Sequence, residues 1–384
     1  MNLKLIGSSL IISGTALGAG MLAIPMVLAQ FGLLWGTALM LFICIGTTYA
    51  ALLLLEASIN AGGGLGMNTI ARKTLGKGGQ VVTNGLLYAL LICLLMAYIL
   101  GAGDLLNKLV RSIGMDLSLV QSQIAFTLIA GAIVASGTAV IDKLNRVLFA
   151  VMLGMLLLTL VFLVPGISAE NMVQVSNSNM PDLIKTSSII FTSFGFMVVI
   201  PSLVSYNHEA THKQLRNMVI VGSLIPLVCY LVWLYAVVGN LTPKQLVEFS
   251  NVSELISVFS AEHAFINVVL SSFTGLALLT SFLGVAMALF TQNQDTFKQN
   301  KVITYVISFI FPLAGAILAA DKFLAVLSYA GIILVFLAVF VPLAMVVKLR
   351  QKATNEQGYK AEGGVAMLAF SFAFGSFLLV SQVL

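Results

Sequence analysis

The chain has 384 residues, 59% hydrophobic and 9% charged, with a mean hydropathy of +1.06 and a formal net charge of +5. So apolar a composition excludes a soluble domain and places the chain in a bilayer, where one helical span takes about 20 residues. The positive charge lies in short polar segments between apolar runs and gives no argument for nucleic acid. The three cysteines, Cys44, Cys93 and Cys229, lie inside apolar runs with neither disulfide nor CxxC metal spacing.

Apolar runs bounded by charged or Gly/Pro/Asn clusters predict eleven spans, near 5–30, 33–57, 82–104, 122–140, 147–165, 184–206, 217–238, 265–291, 302–320, 323–347 and 363–384. The first run reads as a span rather than a signal peptide. It is interrupted by Gly and Pro, and a second span follows almost at once. With the N-terminus in the cytoplasm, 14 of the 19 Lys and Arg fall on the inner side and five, Lys108, Arg111, Lys185, Lys244 and Lys322, on the outer. That bias fixes the expected orientation and, with an odd span count, puts the C-terminus outside. The interspan stretches 58–81 and 239–264 are too short to bury a core of their own.

The first span holds Gly14-Thr15-Ala16-Leu17-Gly18-Ala19-Gly20-Met21, followed by Ile24-Pro25. Glycine costs about 1 kcal/mol against alanine in a helix interior and proline about 3 kcal/mol, so this span is expected to break. In lipid, broken backbone survives only where protein buries it or it lines a polar cavity. The sixth span carries a second interruption, Phe191-Thr192-Ser193-Phe194-Gly195-Phe196-Met197, ending in Ile200-Pro201. Met21, Ile24 and Pro25 match Met197, Ile200 and Pro201 at a constant offset of 176 residues. That offset carries span one onto span six, as expected of two five-span halves with the second inverted. Paired interrupted spans in inverted repeats point to a transporter's binding site.

A broken helix exposes its own polar ends. The half-helix starting near Gly20 offers N–H groups and a positive dipole end to a carboxylate, and the one ending near Ser193 offers carbonyls to an ammonium or a cation. Gly18 and Gly20 let a ligand approach the backbone. The expected ligand is a zwitterionic α-amino acid held by Thr15, Ala16, Gly18, Ala19, Gly20, Met21, Thr192, Ser193, Gly195 and Met197. Phe194, Phe196, Tyr98 and Tyr329 are expected to line an apolar, aromatic side-chain pocket. Taken singly, each aromatic is also an ordinary packing residue.

Several of these stretches resemble one family. They are Gly14-Thr15 through Pro25, Leu52 through Glu56, Ala97-Tyr98-Ile99-Leu100-Gly101-Ala102-Gly103-Asp104, Asn145-Arg146, Phe191 through Phe196, Ile225-Pro226-Leu227, Thr280 through Val285 and Tyr329-Ala330-Gly331. Together they resemble the hydroxy and aromatic amino acid permease family of the amino acid–polyamine–organocation superfamily, and within it the bacterial tyrosine and tryptophan permeases. The resemblance implies an all-α integral membrane protein of LeuT-type fold: two inverted five-span repeats (about 5–165 and 184–347), discontinuous spans one and six, and an eleventh span at about 363–384. It also implies import of tyrosine or tryptophan across the bacterial inner membrane by proton-coupled symport and alternating access. No cofactor beyond the coupling cation and no obligate protein partner is expected. Two features depart from the family pattern: Met197 stands where the sixth-span motif usually has histidine, and the loops flanking span eight are short.

Coupling needs a group that changes partner between states. The carboxylates of Glu56, Asp104 and Glu209 are the candidates, the first two at span ends, where an interfacial role is the plainer reading. Asp142 and Arg146 read as an i,i+4 pair. Thr280 and Ser281, with carbonyls near Ala16 and Ala19, are an alternative all-oxygen sodium site, and helix packing is the plainer reading of those hydroxyls. A sodium-coupled or serine/threonine-type symporter therefore stays open. His208-Glu209-Ala210-Thr211-His212 matches the H-E-x-x-H zinc pattern, which makes a membrane zinc hydrolase the remote alternative. A zinc site needs a third ligand, and the other histidine, His263, is predicted on the opposite side. A chance match on a polar loop is the expectation, with no metal bound and no enzymatic activity.

Overall fold

The computed structural model describes residues 3–63, 65–136, 138–242, 244–245, 249–260, 264–297, 301–320, 322–352 and 358–384, and all regular structure among them is helical. In chain order the helices are α1 (Leu3–Ala16), α2 (Ala19–Leu28), α3 (Gly32–Asn60), α4 (Met67–Ser112), α5 (Leu119–Ala135) and α6 (Thr138–Leu163). The short α7 (Ala169–Met172), α8 (Met180–Lys185), α9 (Ser187–Ser193) and α10 (Ile200–Tyr206) come next. There follow α11 (His212–Val238), α12 (Val252–Ser260), α13 (Ala264–Phe297) and α14 (Lys301–Ala319). The chain closes with α15 (Phe323–Val335), a π-helical turn at Phe336–Phe340, α16 (Val341–Lys352) and α17 (Gly364–Val380). Among the described residues, eight stretches could cross a membrane by length and composition, and Leu3–Ala16, Leu119–Ala135 and Gly364–Val380 are shorter apolar helices beside them. His263 and the Asp142 side chain lie outside the described residues.

The helices are apolar on both their inward and outward faces. Leu34, Ile45, Val268, Phe311 and Leu318 point outward and are exposed, while the inward faces form one continuous core. Such all-round hydrophobicity is what lipid requires. Helices packed in lipid gain little from the hydrophobic effect, so small residues and interhelical hydrogen bonds hold them together. The α1–α11 contact works this way. Ser9 and Ser13 donate to the Met218 and Gly222 carbonyls at 3.0 Å each, and a Cβ on Gly222 would come within 2.7 Å of Ile12.

Two interspan stretches are more structured than their polarity predicts. The segment at 58–81 is mostly helix, because α4 starts at Met67 and bends at Gly76, whose φ of +83° suits glycine. The segment at 239–264 contains α12, which buries Val252, Leu255, Ile256 and Phe259 against the bundle. The end of the bundle near α12 also holds Asp104. Its carboxylate accepts from the Ser253 backbone N–H at 2.9 Å and the Ser253 hydroxyl at 3.0 Å, so α4 caps the start of α12 from outside. Lys108 donates to the Ser253 carbonyl at 3.1 Å. A small cavity of about 20 Å³ lies between Asp104, Gly101, Val252 and Phe323.

At the opposite, Lys/Arg-rich end, Glu56 is fully buried. Its carboxylate accepts from Arg350 Nε at 2.8 Å, Arg350 Nη2 at 2.7 Å and the Ala361 N–H at 2.7 Å. The linker 358–363 between α16 and α17 is strapped to the bundle by this ion pair and by further contacts. Asn60 donates to the Tyr359 carbonyl, the Tyr49 hydroxyl to the Glu362 carbonyl, and Arg216 to the Glu362 carboxylate. Burial pushes the Tyr359 hydroxyl up to about 12.

Candidate substrate site at two helix breaks

The first break falls at Leu17–Gly18 and the second at Phe194–Phe196, and the two lie against each other. A Cβ on Gly20 would come within 2.8 Å of the Ser193 Cα, and one on Gly18 would collide with Ser281 Oγ. Only glycine permits this approach of α2 to α9 and α13. The breaks are also bonded to each other: Ser193 Oγ donates to the Gly20 carbonyl at 2.7 Å.

Each exposed polar end can be followed to its partner. The Ala19 N–H at the start of α2 donates to Ser281 Oγ at 3.0 Å, and the Met21 N–H to the Gly18 carbonyl at 3.1 Å. Among the described residues, the Gly18 and Gly20 N–H groups make no hydrogen bond, which leaves two donors at a positive helix end. The last carbonyls of the opposing half-helices converge on one side chain. The Tyr230 hydroxyl of α11 lies 2.7 Å from the Ala16 oxygen and 2.6 Å from the Ser193 oxygen. Tyr230 is fully buried, and its ring meets Phe194 edge-on at 5.1 Å between centroids. Free N–H donors at one helix start and carbonyls at two helix ends are the groups that a carboxylate and an ammonium take up.

Most of the residues expected at this site are brought together. Ala16, Gly18, Ala19, Gly20, Met21, Ser193, Phe194, Gly195, Phe196 and Met197 all lie in or beside the breaks. Tyr98 is buried on α4 and pairs with Ser281. Thr192 donates to the Ser188 carbonyl at 2.7 Å. Two expectations are corrected. Thr15 is exposed and donates back to Ile11, because the inward face of α1 runs through Ile12, Ser13 and Ala16. Tyr329 is 62% exposed, because α15 turns Gly331 and Leu327 toward α9. Tyr230 was not anticipated: a tyrosine inside an apolar run carries no local signal.

The expected ion and gating groups are distributed differently. Ser281 sits at the break, whereas the Thr280 hydroxyl donates within α13 to Leu276 at 2.8 Å, and the Ala16 carbonyl is taken by Tyr230. Glu56 and Asp104 hold the two ends of the bundle, as described above. Glu209 is exposed and lies 3.7 Å from His208. His208 sits in the turn before α11, while His212 opens that helix behind a Thr211 cap, so the two imidazoles do not share a helical face. Among the described residues, no three His, Cys, Asp or Glu side chains gather as a metal site.

Similarity to known proteins gives the family and the fold. A family model described as the tryptophan/tyrosine permease family matches residues 1–382. The chain is 61% identical to a protein of Aliivibrio fischeri named glutamine transporter 2, with 100% of both chains covered. It is 34% identical to tyrosine-specific transport system 1 of Haemophilus influenzae, covering 97% of this chain and 94% of that protein. It is 27% identical to a tryptophan-specific transport protein of Shigella flexneri, covering 97% and 93%. Among solved structures, a nucleobase-cation-symport-1 family transporter in a closed conformation with bromovinylhydantoin bound is similar in fold. The TM-score is 0.66 at 16% identity, over 99% of this chain and 90% of that one. The protein is thus a multi-pass membrane transporter and not an enzyme: the chain belongs to the tryptophan/tyrosine permease family.

Proposed function

We propose that this chain carries a neutral L-α-amino acid across the bacterial inner membrane by alternating access, with the amino acid bound between the two helix breaks. The observation that carries this reading is the pairing of free Gly18 and Gly20 N–H groups with the converging Ala16 and Ser193 carbonyls. A carboxylate takes the first pair and an ammonium the second. Glutamine is the favoured substrate. The relative with 61% identity along its whole length is named for glutamine. Tyrosine or tryptophan is the second reading, favoured by the 34% identical tyrosine-specific relative and by the buried aromatic pair Phe194 and Phe196. Symport with a proton is favoured over sodium, because the Thr280 hydroxyl is spent on the Leu276 carbonyl and the Ala16 carbonyl on Tyr230.

The test is uptake of labelled glutamine, tyrosine, tryptophan and serine into proteoliposomes under an imposed proton or sodium gradient. Glutamine uptake driven by the proton gradient is expected. Uptake of tyrosine or tryptophan without glutamine overturns the substrate assignment, and a response to sodium alone overturns the coupling assignment.

A further inference from the structure

The Tyr230 hydroxyl occupies the position where a cationic donor would sit between the two half-helix C-termini. It is 2.7 Å from one carbonyl oxygen and 2.6 Å from the other, so it competes for the same two acceptors that an ammonium would use. A phenol carries one proton and satisfies one of these oxygens at a time; an ammonium carries three and satisfies both. Tyr230, Phe194 and Phe196 are all fully buried here, and a buried carbonyl without a donor is costly. Whenever no ligand amine reaches these oxygens, the protein therefore needs a donor of its own at this point.

We propose that Tyr230 is a built-in stand-in for the substrate ammonium: its hydroxyl caps the Ala16 and Ser193 carbonyls in the empty carrier, allowing that carrier to close and reset. This rests on the reading of the two breaks as the amino-acid site. On arrival the ammonium displaces the phenol and takes both carbonyls at once, which is the differential gain a substrate needs to shift a conformational equilibrium. On release the phenol returns, and the unloaded protein crosses back with the phenol proton shared between its two helix ends. Ser193, which joins the breaks through Gly20, stays in place throughout.

Net uptake and exchange separate the two halves of this cycle. Net uptake requires the empty carrier to reset, while exchange across vesicles preloaded with unlabelled amino acid proceeds with the carrier loaded in both directions. Tyr230→Phe keeps the ring contact with Phe194 and removes only the donor. In reconstituted Y230F, net glutamine uptake is expected to fall by about tenfold or more relative to exchange. If glutamine is not carried, the amino acid with the highest wild-type uptake serves as probe. Equal loss of uptake and exchange, or loss of neither, overturns the proposal. A wild-type protein inactive in both assays instead overturns the amino-acid reading of the site. Should empty Y230F prove unstable in detergent, purification with the amino acid present decides: restored monodispersity supports the stand-in role, and failure to restore it refutes it.

Discussion

The buried ion pair at the basic end of the bundle gives a quantitative prediction. Glu56→Ala removes an acceptor that serves three donors: Arg350 Nε, Arg350 Nη2 and the Ala361 N–H. The Glu56 side chain is 1% exposed and that of Arg350 19%, so the guanidinium is left mostly buried and without its counter-charge. Breaking a buried pair from one side costs about 3–5 kcal/mol. Arg350 keeps a 3.1 Å bond to the Ala361 carbonyl and some contact with water, which puts this case near the lower end, about 3 kcal/mol. The opening of the 358–363 strap reports that loss locally. At about 1.4 kcal/mol per factor of ten, the Ala361 amide should exchange with solvent roughly a hundredfold faster. Hydrogen exchange with peptide-level mass spectrometry reads this directly. Replacing both partners with apolar residues should restore much of the protection. Unchanged exchange across 358–363 in Glu56→Ala would refute the claim that this carboxylate holds the strap.

Further outcomes follow from the same geometry. Gly20→Ala places a methyl 2.8 Å from the Ser193 Cα, an overpacking of about 1–3 kcal/mol at the breaks, and should abolish amino acid uptake. Gly7→Ala in α1 meets nothing within 4 Å and should leave uptake unchanged, so equal effects at the two glycines would count against the close-approach argument. Asp104→Asn weakens a charge-assisted cap on α12 by roughly 1 kcal/mol, and exchange across 252–260 should rise severalfold while the core of α4 stays protected. Burial lifts the Tyr359 hydroxyl from 10.0 to about 12, with Arg216 opposing and Glu56, Glu362 and Tyr49 adding to the rise. Below pH 10 both docked and released linker carry a neutral phenol, so docking keeps its full stability. Between pH 10 and 12 only the released form ionises, and docking weakens. Linker exchange followed across that range should accelerate in wild type and lose this alkaline dependence in Tyr359→Phe.

The breaks were legible because their causes are local. Gly18, Gly20 and Pro25 disfavour helix whatever surrounds them, and the structure interrupts the chain at Leu17–Gly18 and again at Phe194–Phe196. Tyr230 was not legible, since its role depends on α11 bringing a hydroxyl between two carbonyls that belong to distant segments. Tyr329 was misplaced for a simpler reason. Gly331, two positions on and about 200° round the helix, faces Thr192 and so turns Tyr329 outward. The α12 helix could have been found: Val252, Leu255, Ile256 and Phe259 recur at the spacing of one helical face, but the segment is too short to register as a span. Glu56 and Arg350 could be placed at span ends, but 294 residues separate them, and no local pattern announces their pairing.

The central claim is that the two breaks together recognise both charged groups of an α-amino acid. It is tested most directly by thermal unfolding of the purified wild-type protein with glutamine, its deaminated acid and its decarboxylated amine. A ligand that binds the folded state raises the unfolding temperature in proportion to its affinity. The account predicts a clear rise with the amino acid and essentially none with either truncated analogue at the same concentration. An equal rise with the acid or the amine alone would contradict it.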